Sequence, residues 1–105
     1  MSIALELTVD AEDPGSYELH VVGEIYVAGT EEESPIVTHV IASPLRSTRF
    51  TLDPGRYELR FHIERAGGRF KITLRRRGLP PVLVKDAGFD TAVGFEHRVF
   101  KFEVA

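Results

Sequence analysis

Residues 57–65 read Tyr-Glu-Leu-Arg-Phe-His-Ile-Glu-Arg, in which apolar side chains occupy every second position up to Ile63. Such alternation is typical of a β-strand with one buried face, so the apolar residues are predicted to point inward. Residues 3–9 alternate in the same way, and further short apolar segments recur between clusters of Gly, Pro, Asp and Ser. No segment has a helical period. The sequence therefore predicts an all-β fold, an antiparallel β-sandwich of about eight strands.

Turn residues divide the chain into its predicted strands. These are residues 3–9, 17–27, 36–42, 48–52 and 57–65, a sixth strand after Gly68, and residues 82–85 and 95–104. Gly23 is expected to mark a bend or bulge in the second strand. The third strand has apolar residues on both faces, which predicts a strand covered on both sides or near the centre of a sheet. Residues 86–94 are expected to form a loop.

The glycines Gly67-Gly68 predict a hairpin between the fifth and sixth strands, because glycine readily adopts the positive φ of a two-residue turn. In that register Phe61 faces Leu74 and Ile63 faces Ile72. Glu64 meets Lys71 on the opposite face, and a slip of one residue would break all of these pairs.

The 105 residues are enough for one hydrophobic core, so residues 1–105 are predicted to be a single domain. The chain contains no cysteine, which excludes disulfides and thiolate metal sites. It also lacks a signal-like start and any long apolar run. These features predict a cytoplasmic protein that does not enter a membrane.

Charge is distributed unevenly, although the net charge is only −3. Residues 1–45 contain nine carboxylates and no Lys or Arg, whereas residues 46–105 contain thirteen Lys or Arg and seven carboxylates. The two parts could lie side by side in one sandwich and neutralise each other. Alternatively, a dipolar surface could bind a charged partner or a second copy of the chain.

The segment Leu52-Asp53-Pro54-Gly55-Arg56-Tyr57-Glu58-Leu59 resembles the turn-to-strand corner of immunoglobulin-like, fibronectin-like and carboxypeptidase-regulatory-like sandwiches. In such a corner the Tyr hydroxyl bonds back to nearby backbone. The resemblance implies a fold, either immunoglobulin-like or jelly-roll/C2-like, and carries no ligand or partner with it.

This corner has a near copy earlier in the chain, Asp13-Pro14-Gly15-Ser16-Tyr17-Glu18-Leu19, in which the same turn residues precede a Tyr-Glu-Leu strand start. Similar turn chemistry could explain the repeat. A hairpin duplication is the alternative, and it predicts a pseudo-symmetric placement of the two strands.

A basic surface is predicted on the outer side of the Gly67-Gly68 hairpin. Arg60 stands opposite Arg75 there, and like charges in that position cost stability unless they are compensated. The predicted partner-binding residues are Arg56, Arg60, His62, Lys71, Arg75 and Arg77. This face would suit a carboxylate-rich protein, a phosphate or a polyanion. The alternative is a solvated face neutralised by nearby glutamates. Nucleic acid is not expected, because no exposed aromatic residues accompany the basic ones.

Two acidic loops are weak candidates for calcium, if they meet at one end of the sandwich. Their residues are Asp10, Glu12 and Asp13 in one loop and Glu31, Glu32 and Glu33 in the other. Neither loop has the spaced ligand pattern that encloses an ion, and four scattered histidines do not predict a zinc site. No cofactor is expected. No serine has the context of a nucleophile, so no enzymatic activity is expected either.

A sandwich face that binds carbohydrate would need exposed aromatic side chains, and the candidates are Tyr26, Phe89 and Phe95. The sequence therefore favours a non-catalytic interaction or structural module that binds a protein, including a second copy of itself. The alternative is a sandwich that binds calcium or a glycan.

Overall fold

The computed structural model describes residues 1–29, 34–91 and 98–105. Its strands are β1 (Ile3–Ala11), β2 (His20–Val27), β3 (Val37–Ala42), β4 (Thr48–Leu52), β5 (Gly55–Glu64), β6 (Arg69–Arg76), β7 (Val82–Asp90) and β8 (Arg98–Val104). Sheet 1 has the order β4-β1-β6-β7 and sheet 2 the order β3-β2-β5-β8, with antiparallel neighbours throughout. The predicted all-β sandwich is confirmed.

The core lies between the two sheets and follows the predicted alternation. In β1 the residues Ile3, Leu5, Leu7 and Val9 are buried, and in β5 the residues Tyr57, Leu59 and Phe61 are buried. Phe61 meets Phe70 of the facing sheet edge to face, with ring centroids 6.5 Å apart. Parity along β1 and β5 therefore identified these core residues correctly.

The predicted Gly67-Gly68 hairpin is wrong, because β5 and β6 belong to different sheets. Ile63 pairs with Val21 in sheet 2, whereas Ile72 pairs with Val9 in sheet 1. Alternation along a strand shows which side chains face the core, but it does not show whether two such strands are neighbours in one sheet or face each other from two sheets. The residues between β5 and β6 can span about 13 Å, enough to cross the roughly 10 Å between stacked sheets.

Two other predictions about strands are corrected. β3 is an edge strand of sheet 2 rather than a central or doubly covered one, and Ile41 is accordingly exposed. β7 continues to Asp90, so the residues predicted as a loop from Asp86 onward are part of a strand as far as Asp90. Val82 begins that strand as predicted. The bulge expected at Gly23 is confirmed, since the pairing of β2 with β3 shifts register there.

The acidic and basic parts of the chain lie side by side in both sheets. β1 pairs with β6 and β2 pairs with β5, so each sheet combines strands from both parts. Opposite charges meet directly in register, as in Glu6 with Arg75, Asp10 with Lys71, and Glu24 with Arg60. This arrangement agrees with mutual neutralisation of the two parts within one sandwich.

The two copies of the Asp-Pro-Gly-x-Tyr segment fold differently. Tyr57 is buried, and its hydroxyl donates a hydrogen bond of 2.6 Å to the backbone oxygen of Asp53, as predicted for the corner. The other copy forms a 3-10 turn over Pro14–Ser16, and Tyr17 has 60 % of its surface exposed. The predicted strand over residues 17–27 therefore begins only at His20, and the contrast favours similar turn chemistry over duplication.

Candidate functional site: an arginine groove on sheet 1

The predicted basic face does not exist as one surface. Arg56, Arg60 and His62 lie on the outer face of sheet 2, and Lys71, Arg75 and Arg77 lie on the outer face of sheet 1. Arg60 pairs with Glu24 and Val99, not with Arg75. The two strands that were expected to be neighbours, β5 and β6, face each other across the core. Their basic side chains therefore point to opposite sides of the sandwich.

The sheet 2 half of the basic residues is neutralised locally. Arg60 lies 2.7 Å from the carboxylate of Glu58, which is itself buried, and its guanidinium stacks 4.1 Å above the ring of Tyr26. Arg56 is highly exposed and pairs with Glu103 at 3.7 Å. His62 lies 2.6 Å from the carboxylate of Glu64. These contacts agree with the solvated-face interpretation for this half.

A shallow groove of about 500 Å³ runs over the outer face of sheet 2. Gly23, whose backbone lies close against that of Arg60 on the neighbouring strand, is one of its lining residues. Its lining includes the exposed apolar residues Ile41 and Val99 beside Arg60 and His62. We call it the sheet 2 groove.

Two of the basic residues on sheet 1, Arg75 and Arg77, line a second groove, of about 630 Å³. We call it the arginine groove, and its lining residues are Ala4, Glu6, Arg49, Arg75, Arg77, Gly78, Leu79 and Pro81. Strands β4, β1 and β6 supply its floor, and the turn between β6 and β7 forms one wall. Because alternation puts Glu6 on the outer face of β1 and its neighbours in register are Arg49 and Arg75, the groove places arginines on both sides of one carboxylate.

Glu6, the one carboxylate among the described residues of the arginine groove, is already engaged. Glu6 Oε2 accepts a hydrogen bond of 2.8 Å from Arg49 Nε and another of 3.1 Å from Ser47 Oγ. The hydrogen bond from Arg49 is the main reason that the pKa of Glu6 is lowered, and the charge of Arg77 adds to the effect. The groove therefore keeps an excess of positive charge.

The two remaining arginines have no acidic partner at salt-bridge distance within the described part of the chain. Arg75 Nη1 donates a weak hydrogen bond of 3.3 Å to the hydroxyl of Thr8. Arg77 is held through its backbone, whose N–H donates to the carbonyl of Ala4 at 2.9 Å, while its side chain is exposed. Lys71 does not belong to the groove, because it pairs with Asp86 at 3.3 Å.

Large apolar side chains are exposed at the turn between β6 and β7 and at the start of β7. Leu79 is fully exposed, Val82 has 58 % of its surface exposed, and Leu83 has 56 %. We call these three residues the apolar lip. Leu79 also lines the arginine groove, and Leu83 pairs in register with Arg75, so these two residues of the apolar lip adjoin the arginines.

Arg49 was not predicted from the sequence, and neither was the arginine groove. Arg49 lies on the short strand β4, which pairs with β1 over a separation of more than forty residues. No local pattern indicates that neighbour. The only signal was chemical: an Arg on the outer face of β4 needs an acid, and the outer face of β1 carries Glu6.

The calcium prediction is not supported at the loop that is described. Both carboxylate oxygens of Asp13 accept hydrogen bonds from Arg69, one from its backbone N–H at 2.8 Å and one from its guanidinium at 2.8 Å. These bonds lower the pKa of Asp13 and occupy the oxygens that an ion would need. Together with Asp10 and Glu12, it belongs to no metal-sized cluster among the described residues.

The second acidic loop, Glu31, Glu32 and Glu33, lies outside the described residues. The flanking Ala28 donates its N–H to the carbonyl of Arg56, at the start of β5, whereas Asp13 is bonded to Arg69, beyond the end of β5. β5 is about 30 Å long. The expectation that the two loops meet at one end stays a prediction, because it depends on residues outside those that the structure describes.

The two aromatic candidates that the structure describes, Tyr26 and Phe89, do not form a flat platform for a sugar. Arg60 covers one face of Tyr26. Phe89 packs against the core, with its ring 5.2 Å from that of Phe61, because β7 extends through it with inward parity. Phe95 lies outside the described residues, as does His97.

Within the residues that the structure describes, no helix is long and apolar enough to cross a membrane. Comparisons of the chain with protein-family models, with curated proteins and with solved structures gave no match.

Proposed function

We propose that this chain is a non-catalytic module that binds another protein through the apolar lip and the adjoining groove on sheet 1. The observation that carries the proposal is the exposure of Leu79, Val82 and Leu83 within five residues of one another. Burying such side chains against a partner contributes about 25 cal/mol for each Å² removed from water. Exposed apolar side chains grouped beside polar ones are typical of interaction sites.

Edge strand β7 favours side-chain contacts over the addition of a partner strand. Pro80 and Pro81 immediately precede it, and the pairing of β6 with β7 shifts register between Leu74 and Arg75. Lys85, opposite the buried Leu74, adds a charge to the edge. Proline, irregular pairing and charge are the features by which sheet edges avoid further strand pairing. The partner can be a different protein or a second copy of the chain.

We also propose that the module acts in the cytoplasm. The chain contains no cysteine, and its core is made of apolar side chains from both sheets, so its fold does not depend on an oxidising compartment.

Selection from a random-peptide display library tests the proposed function. We expect the immobilised domain to enrich peptides with a recurring pattern, and we expect Leu79→Ser with Leu83→Ser to abolish that enrichment. Leu45→Ser is the matched control, because Leu45 is 90 % exposed at a distant turn. Sedimentation velocity over a range of concentrations tests self-association with the same three proteins.

If the wild type enriches a pattern and the Leu79→Ser, Leu83→Ser double variant enriches the same pattern, the apolar lip is not the contact surface. A domain that enriches no pattern and stays monomeric at all concentrations would overturn the proposed function altogether.

A further inference from the structure

We infer that the arginine groove selects an extended, acidic segment of the partner, with carboxylates on alternate residues. This inference rests on the proposed function, and it adds the chemical class of the partner. It starts from the charge of the groove, where three guanidinium groups surround one carboxylate, and that carboxylate is already bonded to Arg49.

The spacing of the two available arginines determines the shape of the partner. Arg75 and Arg77 are two residues apart on the same face, and the backbone of Arg77 continues the ladder to β1 through its bond to Ala4. Side chains two residues apart in extended backbone are about 7 Å apart. An extended partner with acidic residues at positions i and i+2 has the same spacing, so both carboxylates can be bound at once.

The chemistry of arginine favours carboxylates in this groove. A planar guanidinium can form two parallel hydrogen bonds to one carboxylate. A nucleic acid strand fits less well, because no aromatic side chain among the described residues lines the groove for base stacking. The adjoining Leu79 offers an apolar contact, so an acidic segment that also contains a leucine would use both parts of the surface.

The inference is tested by fluorescence anisotropy with three labelled peptides of equal length. The first carries Glu-Ser-Glu followed by a leucine, the second carries the same residues with the two glutamates adjacent, and the third has glutamine in place of glutamate. We expect the first to bind most tightly and the third most weakly. Binding of the first should weaken between about 50 and 300 mM salt, because screening acts on exposed charges.

Arg75→Gln with Arg77→Gln should weaken binding of the first peptide about two- to thirtyfold, the range expected from two exposed ion pairs. Arg56→Gln with Lys101→Gln removes the same charge from the outer face of sheet 2, and it should leave binding unchanged. All four positions are exposed, so circular dichroism and thermal melting are expected to show an intact fold for both double variants.

Equal binding of the three peptides, or equal losses in the two double variants, would overturn the inference. If the display experiment enriches peptides that depend on the apolar lip but are not acidic, the proposed function stands and the inference fails. If display enriches nothing, the proposed function fails first. Tighter binding of the adjacent-glutamate peptide would refute the extended shape of the partner.

Discussion

Replacing Tyr57 by Phe removes one hydroxyl and tests the corner on which the start of β5 depends. That hydroxyl donates a hydrogen bond of 2.6 Å to the carbonyl of Asp53, and the Tyr57 side chain is only 7 % exposed. Loss of one buried hydrogen bond costs about 1 kcal/mol, with a spread of about 0.5. The carbonyl left behind belongs to an exposed residue, so water can replace the lost donor and the cost should not exceed this range.

Urea unfolding measures this cost. For a small domain the slope is about 1–3 kcal/mol per molar urea, so the midpoint of Tyr57→Phe should fall by about 0.3–1 M with the slope unchanged. The pKa of Tyr57 is raised, mainly by burial, with the negative charge of Asp53 adding to the effect. The unfolded state therefore loses its tyrosine proton first, and stability should decrease as the pH rises above about 10. Tyr57→Phe should lack this part of the alkaline decrease.

The second Asp-Pro-Gly-x-Tyr segment supplies the matched control. Tyr17 follows the same turn residues but is 60 % exposed, so Tyr17→Phe should change stability by less than about 0.5 kcal/mol. Equal losses in the two variants would refute the reasoning, because they would show that sequence alone, and not burial with a specific hydrogen bond, determines the effect.

Two further predictions concern stability. Gly23→Ala should destabilise the domain by about 1–3 kcal/mol in urea unfolding, because the new Cβ would meet the backbone oxygen of Arg60. Gly88→Ala is the control and should be close to neutral, because its Cβ finds only ordinary contacts near 3.9 Å. A larger loss in Gly88→Ala than in Gly23→Ala would contradict the crowding at the bulge. The hydrogen bonds from Arg69 lower the pKa of Asp13 from its ordinary value of 3.8. The stabilisation that they contribute is therefore present above pH 3.8 and is lost as the pH falls through the lowered pKa of the folded state. Thermal unfolding between about pH 2 and pH 6 should therefore depend less on pH in Asp13→Asn than in the wild type, and parallel profiles would show that this pair does not contribute.

Sequence reasoning predicted the inner and outer faces of the strands well, because the alternation of side chains is a local property of extended backbone. Ile3 to Val9 and Tyr57 to Phe61 are examples, and the hydroxyl bond of Tyr57 was predicted from its turn. The neighbours of each strand were not predictable in the same way. A connection such as Gly67-Gly68 is short enough for a hairpin and long enough to cross between sheets, and no local residue distinguishes the two.

The candidate site was predicted only in part for the same reason. Arg75 and Arg77 were correctly identified as outward-facing basic residues, but they were assigned a face together with Arg60. Arg49 was not included, since its place beside Glu6 depends on the pairing of β4 with β1. Identification of residue types needs only the sequence, whereas the grouping of those residues needs the topology.

The order of strands in the two sheets has a consequence for how the chain acquires its structure. Strands β1 to β4 supply one half of each sheet, β5 to β8 supply the other half, and the central pairs β1–β6 and β2–β5 join them. Neither half, severed near Asp53, could close a core by itself. Two such fragments should each be unstructured alone and should assemble when mixed. During synthesis the first half cannot fold until the second half has been made. Pairing between strands that are far apart in the sequence is expected to make folding slow, in the range of roughly milliseconds to seconds.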